Sequence, residues 1–439
     1  MYSKILETLS KAAPKKGQSM NVLVISHLYP TAVQPLSGIF VQQQIEAIHA
    51  QGVEVTLVNP TPWFPRALKG LGKWGKYAQV PDHELHQGMD IYHPRVLEFP
   101  RGYFFAHYPL TYRLGMGKLI ARLVRDKKPD LIHAHVAHPD GAAAVALGKQ
   151  YNLPVVVTIH GQDFAHTLNR SPRCAESVKD TLRQARRVVL VSDKLRENYG
   201  LELWADSLSK YRVIYNGAEF EDVDAKAQAE VQKSASCENA IHDEQRGPVL
   251  LTVGFLREPK GHAYVLEALA NSQLLQDYPN LLYRIAGDGA ERQNLEAQVR
   301  ALGLEKHVEF LGSLPHPQAM AEMARCDIFV MPSWNEAFGV VYLEALSQGK
   351  PIIGTKGEGI APLIHREEVG LTVRPRNAED IRFAIEKLLG NPDLTQEMGK
   401  KGQILVRENF TWSHNAHQTI ALYHEVLAEG NQGLGAELV

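Results

Sequence analysis

Hydrophobic and polar positions alternate in a regular way from Asn21 onward. Short runs rich in Val, Ile and Leu, such as "NVLVIS", "VEVTLVNP" and "PVVVTIHG", are separated by longer segments with amphipathic patterning. Apolar runs of this length, bounded by Gly or Pro, are typical of buried parallel strands, and the segments between them are typical of helices. The alternation predicts an α/β fold with doubly wound parallel sheets covered by helices on both faces.

The alternation stops once and then restarts. Residues 219–246 are polar, acidic and nearly free of large apolar side chains, which predicts a linker. The linker separates a Rossmann-like domain over 21–218 from a second one over 247–411, and residues 1–20 are predicted to be an extension outside the fold. Two such domains are expected to face each other across a cleft, with the ligand along the carboxyl ends of the strands.

Bulk composition excludes several classes of protein. The 47 Lys and Arg nearly balance the 49 Asp and Glu, so the overall charge gives no indication of a nucleic-acid partner. No apolar run approaches the roughly eighteen residues of a membrane span. The three cysteines are scattered without metal or redox spacing, which favours a reducing compartment. We therefore expect a cytoplasmic enzyme.

One flank of the first domain, residues 63–128, is locally basic. Residues 66–128 contain 12 Lys and Arg against 5 Asp and Glu, and "WFPRALKGLGKWGKYAQV" interleaves aromatic side chains with cations. Such a patch suits peripheral contact with the anionic inner face of the cell membrane, or binding of a lipid-phosphate acceptor. A merely solvated basic face explains it equally well.

The stretch "PSWNEAFGVVYLEALSQGKPIIGT" carries two glutamates, Glu336 on a predicted loop and Glu344 inside a predicted helix, Gly339 to Gln348. Eight helical residues rise roughly 12 Å, which exceeds the roughly 5–10 Å of a glycosidase carboxylate pair. The helix N-terminus between them attracts phosphate. A nucleotide-sugar, with hydroxyls at both ends and phosphate between, would fit. The alternative is a pair of surface glutamates beside a core helix.

Other candidates follow predicted strands or open predicted helices. Arg257 and Lys260 lie in a strand-to-helix turn and suit a diphosphate leaving group. His160 and Asp163 in "TIHGQD" are expected to be exposed at the cleft, where His160 could orient a sugar hydroxyl or take part in proton movement, although a capping role suits Asp163 equally well. Gly38 opens the first helix, where backbone can approach a phosphate or a reacting sugar, and an ordinary N-cap explains it nearly as well.

Two motifs that suggest cofactors are weak. "IHAHVAHPDG" invites a zinc hypothesis, but a metallo-hydrolase of this type would need Asp at Ala137, and no Glu or Cys ligand set accompanies it. "RIAGDGAER" imitates a dinucleotide fingerprint, yet Arg292 occupies the third glycine position. The residues therefore predict neither a bound metal nor a dinucleotide cofactor.

Taken together, "NEAFGVVYLEA", "VGFLREPKG", "IAGDGAER", "HAH" and "TIHG" resemble the retaining nucleotide-sugar glycosyltransferases of family four. The likeness covers nearly all of Asn21 to Gly430 and implies two Rossmann-like domains of GT-B type. "YPTAVQPLSGIFVQQQ" and "GTKGEGI" look like the branch that builds bacterial exopolysaccharides and other surface glycans. In such proteins the closing helix, here 412–429, crosses back to the first domain.

The resemblance implies a role for each matching position. By resemblance, Glu336 would contact the donor sugar hydroxyls and Glu344 the ribose. Arg257 and Lys260 would contact the diphosphate, together with the backbone of Phe338, Gly339 and Val340. His160 would contact the transferred sugar, and Gly38 would lie at the reacting centre. The chain departs from the family at Phe255, where many members have Arg, and at Gly357, Glu358 and Gly359, which replace a double glycine.

The predicted activity is transfer of a hexose-type sugar from a nucleoside-diphosphate sugar, with uridine diphosphate expected, to a glycan or lipid-linked acceptor. His160, Glu336 and Lys260 are the expected catalytic residues, with neither metal nor cofactor. Three alternatives remain open at this point: a nucleotide-sugar epimerase of the same fold, a non-catalytic partner subunit of a membrane glycan assembly, and a zinc hydrolase.

Overall fold

The computed structural model describes residues 19–65, 67, 72–197, 199, 208–220, 247–270 and 272–436. Packing divides the chain into two compact units, Met1–Asn216 with Trp412–Val439 and Gly217–Thr411. Each unit is an α/β domain with its own sheet. The predicted extension lies outside the described residues as far as residue 18, and the predicted linker does so from residue 221 to residue 246.

The strands of the first unit are short and mostly buried. They are β1 (Asn21–Ile25), β2 (Glu54–Val58), β3 (Thr61–Pro62), β4 (His83–His86), β5 (Met89–Tyr92), β6 (Arg95–Val96), β7 (Leu131–His135), β8 (Val155–Ile159), β9 (Arg187–Leu190) and β10 (Tyr211–Val213). Eight of them form a sheet in the order β10-β9-β8-β7-β1-β2-β5-β4, and β3 pairs with β6. β7 and β8 are buried at every position, as expected for parallel strands covered on both faces.

Helices connect these strands and cover the sheet. They are α1 (Ile39–Ala50), α2 (Gly72–Gly75), α3 (Tyr108–Lys127), α4 (Ala142–Tyr151), α5 (Leu168–Arg170), α6 (Pro172–Gln184) and α7 (Asp193–Glu197). The predicted first helix, which Gly38 was expected to open, is α1, and Gly38 is its N-cap residue. The β4–β5 hairpin, which is the one antiparallel pairing among the described strands of this sheet, was not predicted from the sequence.

The second unit has a six-stranded, fully parallel sheet. Its strands are β11 (Val249–Val253), β12 (Leu282–Ala286), β13 (Val308–Gly312), β14 (Ile328–Val330), β15 (Ile352–Thr355) and β16 (Gly370–Val373). Its helices are α8 (His262–Leu269), α9 (Ser272–Asp277), α10 (Arg292–Ala301), α11 (His316–Arg325), α12 (Val340–Ser347), α13 (Ala361–Glu367), α14 (Ala378–Leu389) and α15 (Pro392–Asn409). The strand order is β13-β12-β11-β14-β15-β16. The predicted α/β class with doubly wound parallel sheets is confirmed in both units.

The last helix, α16 (Trp412–Ala436), packs in the first unit against α1. The buried amide of Gln44 donates to Oδ1 of Asn415 at 2.7 Å, and Nδ2 of Asn415 donates to the carbonyl of Tyr215 at 2.7 Å. Apolar side chains of α16, among them Tyr423, complete the core around β1 and α1. Of the helices in the described part of the chain, none is long and apolar enough to span a membrane.

Each sheet has one point at which the strand order reverses. β1 lies between β2 and β7, and β11 lies between β12 and β14. In open α/β sheets, ligands bind outside the carboxyl ends of the strands at such a point, because the following helices leave on opposite faces and open a crevice. A ligand-binding site is therefore expected at the loops after β1 and β7 in the first unit and at the loops after β11 and β14 in the second.

Candidate active site

Lys260 and Glu336 form an ion pair between two loops of the second unit. Nζ of Lys260 lies 2.5 Å from Oε2 of Glu336. Lys260 ends a short 3-10 turn after β11, and Glu336 lies in the loop after β14, so the pair stands at the reversal point of this sheet. The two side chains are 26% and 20% exposed, which leaves both accessible to a ligand. The structure thus brings together two residues that the sequence placed in one site.

Glu358 fixes the loop that carries Glu336. Oε2 of Glu358 accepts the backbone N–H of Glu336 at 2.7 Å, and the N–H of Gly359 donates to the carbonyl of Glu336 at 3.4 Å. Asn335, just before it, has a φ of 60°, in the left-handed region where the chain turns sharply. The segment "GTKGEGI" therefore positions Glu336, a contact that the sequence alone did not predict.

Helix α12 begins at Val340 behind Gly339, whose φ is 84°. A Cβ at Gly339 would lie 2.7 Å from the ring of Tyr342, so both the conformation and the available space require glycine. Phe338 is fully buried and anchors the approach to the helix. The first backbone bond runs from the N–H of Tyr342 to the carbonyl of Gly339 at 3.1 Å. The N–H groups ahead of it have no partner within the helix and can bind an anion.

Glu344 lies buried inside α12 and is bonded to His316. Nε2 of His316 donates to Oε1 of Glu344 at 2.9 Å. This hydrogen bond raises the pKa of His316 against the opposing effect of burial. His316 opens α11, so the bond joins two helices. The two glutamates of the central motif, Glu336 and Glu344, thus have separate basic partners, and sequence reasoning missed His316.

Arg257 is exposed and sits at the start of the 3-10 turn that Lys260 ends. Its guanidinium lies 5.4 Å from the ring centroid of Phe255 and makes no ion pair with a described residue. A second guanidinium, that of Arg376, lies 4.7 Å from the ring centroid of Trp334. The backbone N–H of Trp334 donates to a carbonyl of the Lys260 turn, at Pro259, over 2.9 Å. Arg376 is therefore a further cation beside the two loops that the sequence did not single out.

His160 and Gly38 belong to the first unit. His160 follows β8, and its Nε2 lies 3.0 Å from Nδ1 of His135, with the two rings stacked at 13°. On its other side it contacts the ring of Phe40 at 4.6 Å between centroids. Burial lowers the pKa of His160 to about 3, so this imidazole is neutral at physiological pH. A neutral His160 acts as a hydrogen-bonding group rather than as a cation.

Gly38 is the N-cap residue of α1 with a φ of 70°. A Cβ at this position would lie 2.4 Å from the carbonyl carbon of Leu28, so the chain after β1 passes too close for any side chain. Phe40, which contacts His160, lies in the first turn of the same helix. The structure therefore brings Gly38 and His160 to the same end of the first unit.

The histidines of "IHAHVAHPDG" have separate partners and do not form a metal site. His133 contacts the hydroxyls of Tyr423 at 2.6 Å and Thr158 at 2.7 Å, and His138 contacts Ser177 and a backbone carbonyl. Within the residues described by the structure, no cluster of three or more His, Cys, Asp and Glu is placed to hold a metal ion. The zinc hypothesis therefore has no ligand set in the described part of the chain.

Asp163 is buried, which corrects the expectation that it is exposed at a cleft. Its Oδ1 accepts the backbone N–H of Ala137 at 2.5 Å, and it thereby joins the loop after β8 to the loop after β7. Burial raises the pKa of Asp163 to about 6, against the effect of its backbone hydrogen bonds. The prediction failed because the exposure of a loop residue depends on neighbouring loops, which local sequence does not show.

Two family models match the chain. Residues 37–222 match Glycosyltransferase Family 4, and residues 238–404 match Glycosyl transferases group 1. Among its relatives, TuaC of Bacillus subtilis, named as a teichuronic acid biosynthesis glycosyltransferase, is 26% identical over 91% of this chain and 99% of its own length. The glycogen synthase of Mycobacterium tuberculosis is 26% identical over 92% of this chain and 94% of its own length.

Solved structures share the fold at lower identity. Sucrose-phosphate synthase from Thermosynechococcus elongatus superposes with a TM-score of 0.73 at 23% identity, covering 93% of this chain and all of its own. HepE from Anabaena, in complex with UDP and glucose, superposes with a TM-score of 0.62 at 19% identity, covering 91% of this chain and 98% of its own.

The fold and the two matched models define the class as a GT-B glycosyltransferase. More specifically, the chain belongs to the glycosyltransferases of family four, which confirms the resemblance read from its motifs.

Proposed function

We propose that this protein is a retaining hexosyltransferase that moves a sugar from a nucleoside-diphosphate sugar to a glycan or lipid-linked acceptor in the synthesis of a surface polysaccharide. The observation that carries the proposal is the Lys260–Glu336 pair at the reversal point of the second sheet. It offers a cation for phosphate and a carboxylate for sugar hydroxyls within one hydrogen bond of each other, as the linkage between sugar and diphosphate requires.

The donor makes three contacts in this proposal. Lys260 and Arg257 neutralise the diphosphate, together with the free N–H groups at Gly339 and Val340. Glu336 accepts hydrogen bonds from the sugar hydroxyls, and Glu344 accepts them from the ribose. Charge on the leaving diphosphate grows as the glycosidic bond breaks, so preorganised cations and helix N–H groups stabilise the transition state more than the ground state.

The chemical step proceeds on one face of the sugar. The acceptor hydroxyl attacks the anomeric carbon from the side of the departing diphosphate, a new C–O bond replaces the old one, and the hydroxyl proton passes to the leaving phosphate. The configuration is thereby retained. His160, neutral at physiological pH, orients a hydroxyl of the transferred sugar, and Gly38 lets the backbone approach the reacting centre. In this scheme the protein's cations take the place of a bound metal.

The comparisons support the choice of substrates. HepE is described in complex with UDP and glucose, and with UDP-glucose, which supports a uridine diphosphate sugar as donor. TuaC carries a name from teichuronic acid biosynthesis, which supports a surface glycan as product. Relatives named as glycogen synthases act on a different glycan, so the acceptor is the part of the proposal that most needs an experiment.

Peripheral contact with an anionic membrane is proposed through the basic flank 63–128. Most of the large apolar side chains that the described part of this flank exposes cluster in the loop before α3 and on its first turns, whereas Trp63 and Leu85 are exposed outside this cluster. The clustered side chains are Leu97, Phe99, Tyr103, Phe104, Leu110 and Leu114. Exposed Arg101 and Arg113 lie among them. Aromatic and aliphatic side chains interspersed with arginine suit the boundary between lipid headgroups and acyl chains. Part of the stretch that first suggested this contact, residues 66 and 68–71, lies outside the described residues.

One assay separates this function from its rivals. Purified, metal-stripped protein is incubated with a panel of nucleotide-sugars, with and without a membrane-lipid extract, and released nucleoside diphosphate is measured by mass. Release from one donor that the extract stimulates supports the transferase and identifies the sugar. Isomerisation of a donor without release would support the epimerase, and silence with every donor would favour a non-catalytic subunit.

A further inference from the structure

His27 and Asp140 form a close pair at the reversal point of the first sheet. Nδ1 of His27 lies 2.5 Å from Oδ2 of Asp140, and the backbone N–H of His27 donates to the same oxygen at 3.2 Å. His27 follows β1 and Asp140 follows β7, so 113 residues of chain separate two groups that neighbouring strands bring together. Neither residue was singled out for a role from the sequence.

The pair has one buried end and one open end. Asp140 is completely buried, whereas the side chain of His27 is 34% exposed. Because the carboxylate engages Nδ1, that nitrogen carries a proton and Nε2 is the nitrogen left for a ligand. Nε2 makes no hydrogen bond to any residue that the structure describes. A histidine whose Nδ1 is held by a buried carboxylate and whose Nε2 is open has the geometry of a group that hydrogen-bonds a ligand hydroxyl.

The surroundings of His27 are acidic. Burial alone would lower the pKa of His27. Asp140 raises it through its charge and its hydrogen bond, and the charges of Glu98 and Asp163 raise it further. The result is a raised pKa. His138 is the other titratable group that feels the charge of His27. Three carboxyl groups around one imidazole repel phosphates and carboxylates but accept neutral hydroxyls as donors. The ligand that fits this end of the sheet is therefore uncharged.

The pair also lies beside the residues that the proposed reaction uses in this unit. Leu28, the residue after His27, is the backbone against which Gly38 packs. Oδ1 of Asp140 and Oδ2 of Asp163 are both buried without a hydrogen-bond partner among the described residues. A buried carboxylate oxygen without a partner is costly in a purely structural pair. The two partnerless oxygens therefore favour a site in which a ligand or ordered water completes the hydrogen bonds.

We infer that the His27–Asp140 pair is the binding group for the acceptor, with Nε2 of His27 forming a hydrogen bond with the attacking hydroxyl of a neutral sugar. Asp140 acts as the positioning residue that holds the ring and its tautomer. This inference rests on the proposed transfer to a glycan acceptor and adds to it the class of the acceptor's reacting end. The final proton destination stays the leaving phosphate, so His27 orients the hydroxyl without changing the balance of the reaction.

The first test measures binding and needs no turnover. Full-length protein with carbon-13 at the histidine Cε1 positions is titrated with methyl glycosides of glucose, galactose, mannose and N-acetylglucosamine, and the His27 signal is identified by its absence in His27→Asn. At least one neutral glycoside is expected to shift it. Glucose 1-phosphate and methyl glucuronide serve as charged probes. If no neutral glycoside shifts the signal, or if only the charged probes do, the inference is wrong.

The second test separates acceptor transfer from donor chemistry. In His27→Asn the amide can still donate to Asp140, but no atom replaces Nε2. It is expected to lower extract-stimulated transfer about 100-fold while leaving UDP affinity and the slow release of nucleoside diphosphate to water unchanged. His27→Gln, which places a carboxamide oxygen near Nε2, is expected to recover part of the transfer. Asp140→Asn is expected to raise the KM for acceptor and to change the pH profile of transfer.

A matched control comes from the same unit. His83 pairs with Asp90 at 2.8 Å on the outer β4–β5 hairpin and is exposed, so His83→Asn removes a comparable pair far from the reversal point and should change neither rate. Equal loss of transfer and of water-dependent release in His27→Asn would show a structural role and overturn the inference, as would unchanged transfer. Absence of release from every donor in the wild type would instead count against the proposed function, and the glycoside titration would still decide the binding site.

Discussion

The ammonium group of Lys260 lies 2.5 Å from the carboxylate of Glu336, and the two residues come from loops after neighbouring strands, β11 and β14. The pair therefore depends on the parallel pairing of those strands and not on local sequence. Each residue is partly exposed, and surface ion pairs of this kind contribute only about 0–1 kcal/mol to stability. We infer that the pair serves the ligand more than the fold.

Loss of either partner should therefore affect turnover and not folding. Lys260→Met and Glu336→Gln are each expected to lower kcat about 10²–10³-fold, since removing one preorganised charge that stabilises a transition state costs about 3–4 kcal/mol. The thermal midpoint should move by only a few degrees. Rates are measured by nucleoside diphosphate release, and folding is followed by circular dichroism. Lys401→Met, which breaks an exposed pair with Glu368, is the control, and unchanged kcat in Lys260→Met would remove its assigned role.

Glu358 is expected to act on Glu336 through its backbone. In Glu358→Ala the N–H of Glu336 loses its acceptor, and the loss of a hydrogen bond to a charged group costs about 1.5–3 kcal/mol. We expect kcat/KM for the donor to fall about 10-fold or more, whereas Glu358→Gln keeps an acceptor oxygen and should retain most of the activity. Steady-state kinetics on the donor panel measure both. If the Gln variant were as impaired as the Ala variant, the carboxylate charge would matter and not the loop contact.

The fold could be predicted because its signals are local. Short, continuous apolar runs such as "VVVTI", bounded by Gly or Pro and rich in β-branched residues, are typical of strands buried on both faces, and they predicted the parallel class. The β4–β5 hairpin was not predicted because its strands, "HELH" and "MDIY", are short and half polar and alternate in burial at the edge of the sheet. An edge strand needs no continuous apolar run, so the pattern that finds central strands does not find it.

The site could be predicted as far as motifs lie at element boundaries. Lys260 and Glu336 were predicted to lie in one site because each follows a strand and precedes a helix, where ligands bind in α/β sheets, and the structure places the two side chains in contact. Contacts between distant segments were missed, because 22 residues separate Glu336 from Glu358 and 113 separate His27 from Asp140. The burial of Asp163 was missed for the same reason, since the loop after β7 covers it.

The bond between His316 and Glu344 predicts a pH dependence. The pKa of His316 is raised in the folded protein, so the stabilisation from this pair is fully present below the unfolded-state pKa of about 6.5 and is lost as pH rises through the higher folded-state value. The thermal midpoint of the wild type should therefore fall relative to that of His316→Gln as pH rises above about 6.5. Differential scanning calorimetry in matched buffers measures it. A constant difference would show that the charge on His316 contributes nothing.

Exposed apolar side chains before and on α3 predict binding to anionic vesicles. Phe104 and Leu114 are 65% and 67% exposed, and burying two such side chains in lipid is worth about 3–6 kcal/mol at most. Phe104→Ser with Leu114→Ser should weaken sedimentation with phosphatidylglycerol vesicles by about 10-fold or more, with little effect on phosphatidylcholine alone. Leu85→Ser, equally exposed but on the β4 edge strand, is the control. Equal binding of all variants would exclude this surface.

Gly38 predicts a stability effect that can be separated into two parts. Gly38 and Gly52 both have a positive φ, 70° and 88° respectively. A Cβ at Gly38 would lie 2.4 Å from the carbonyl carbon of Leu28, whereas a Cβ at Gly52 would have no described atom within 4 Å. Gly52→Ala therefore measures the conformational cost alone, of order 1–2 kcal/mol. Gly38→Ala adds a backbone clash that only movement of the loop after β1 can relieve, so its thermal midpoint should fall further, and transfer should fall with it because that loop carries His27. Calorimetry and the transfer assay measure the two effects, and equal midpoints in the two variants would mean that the loop yields without cost.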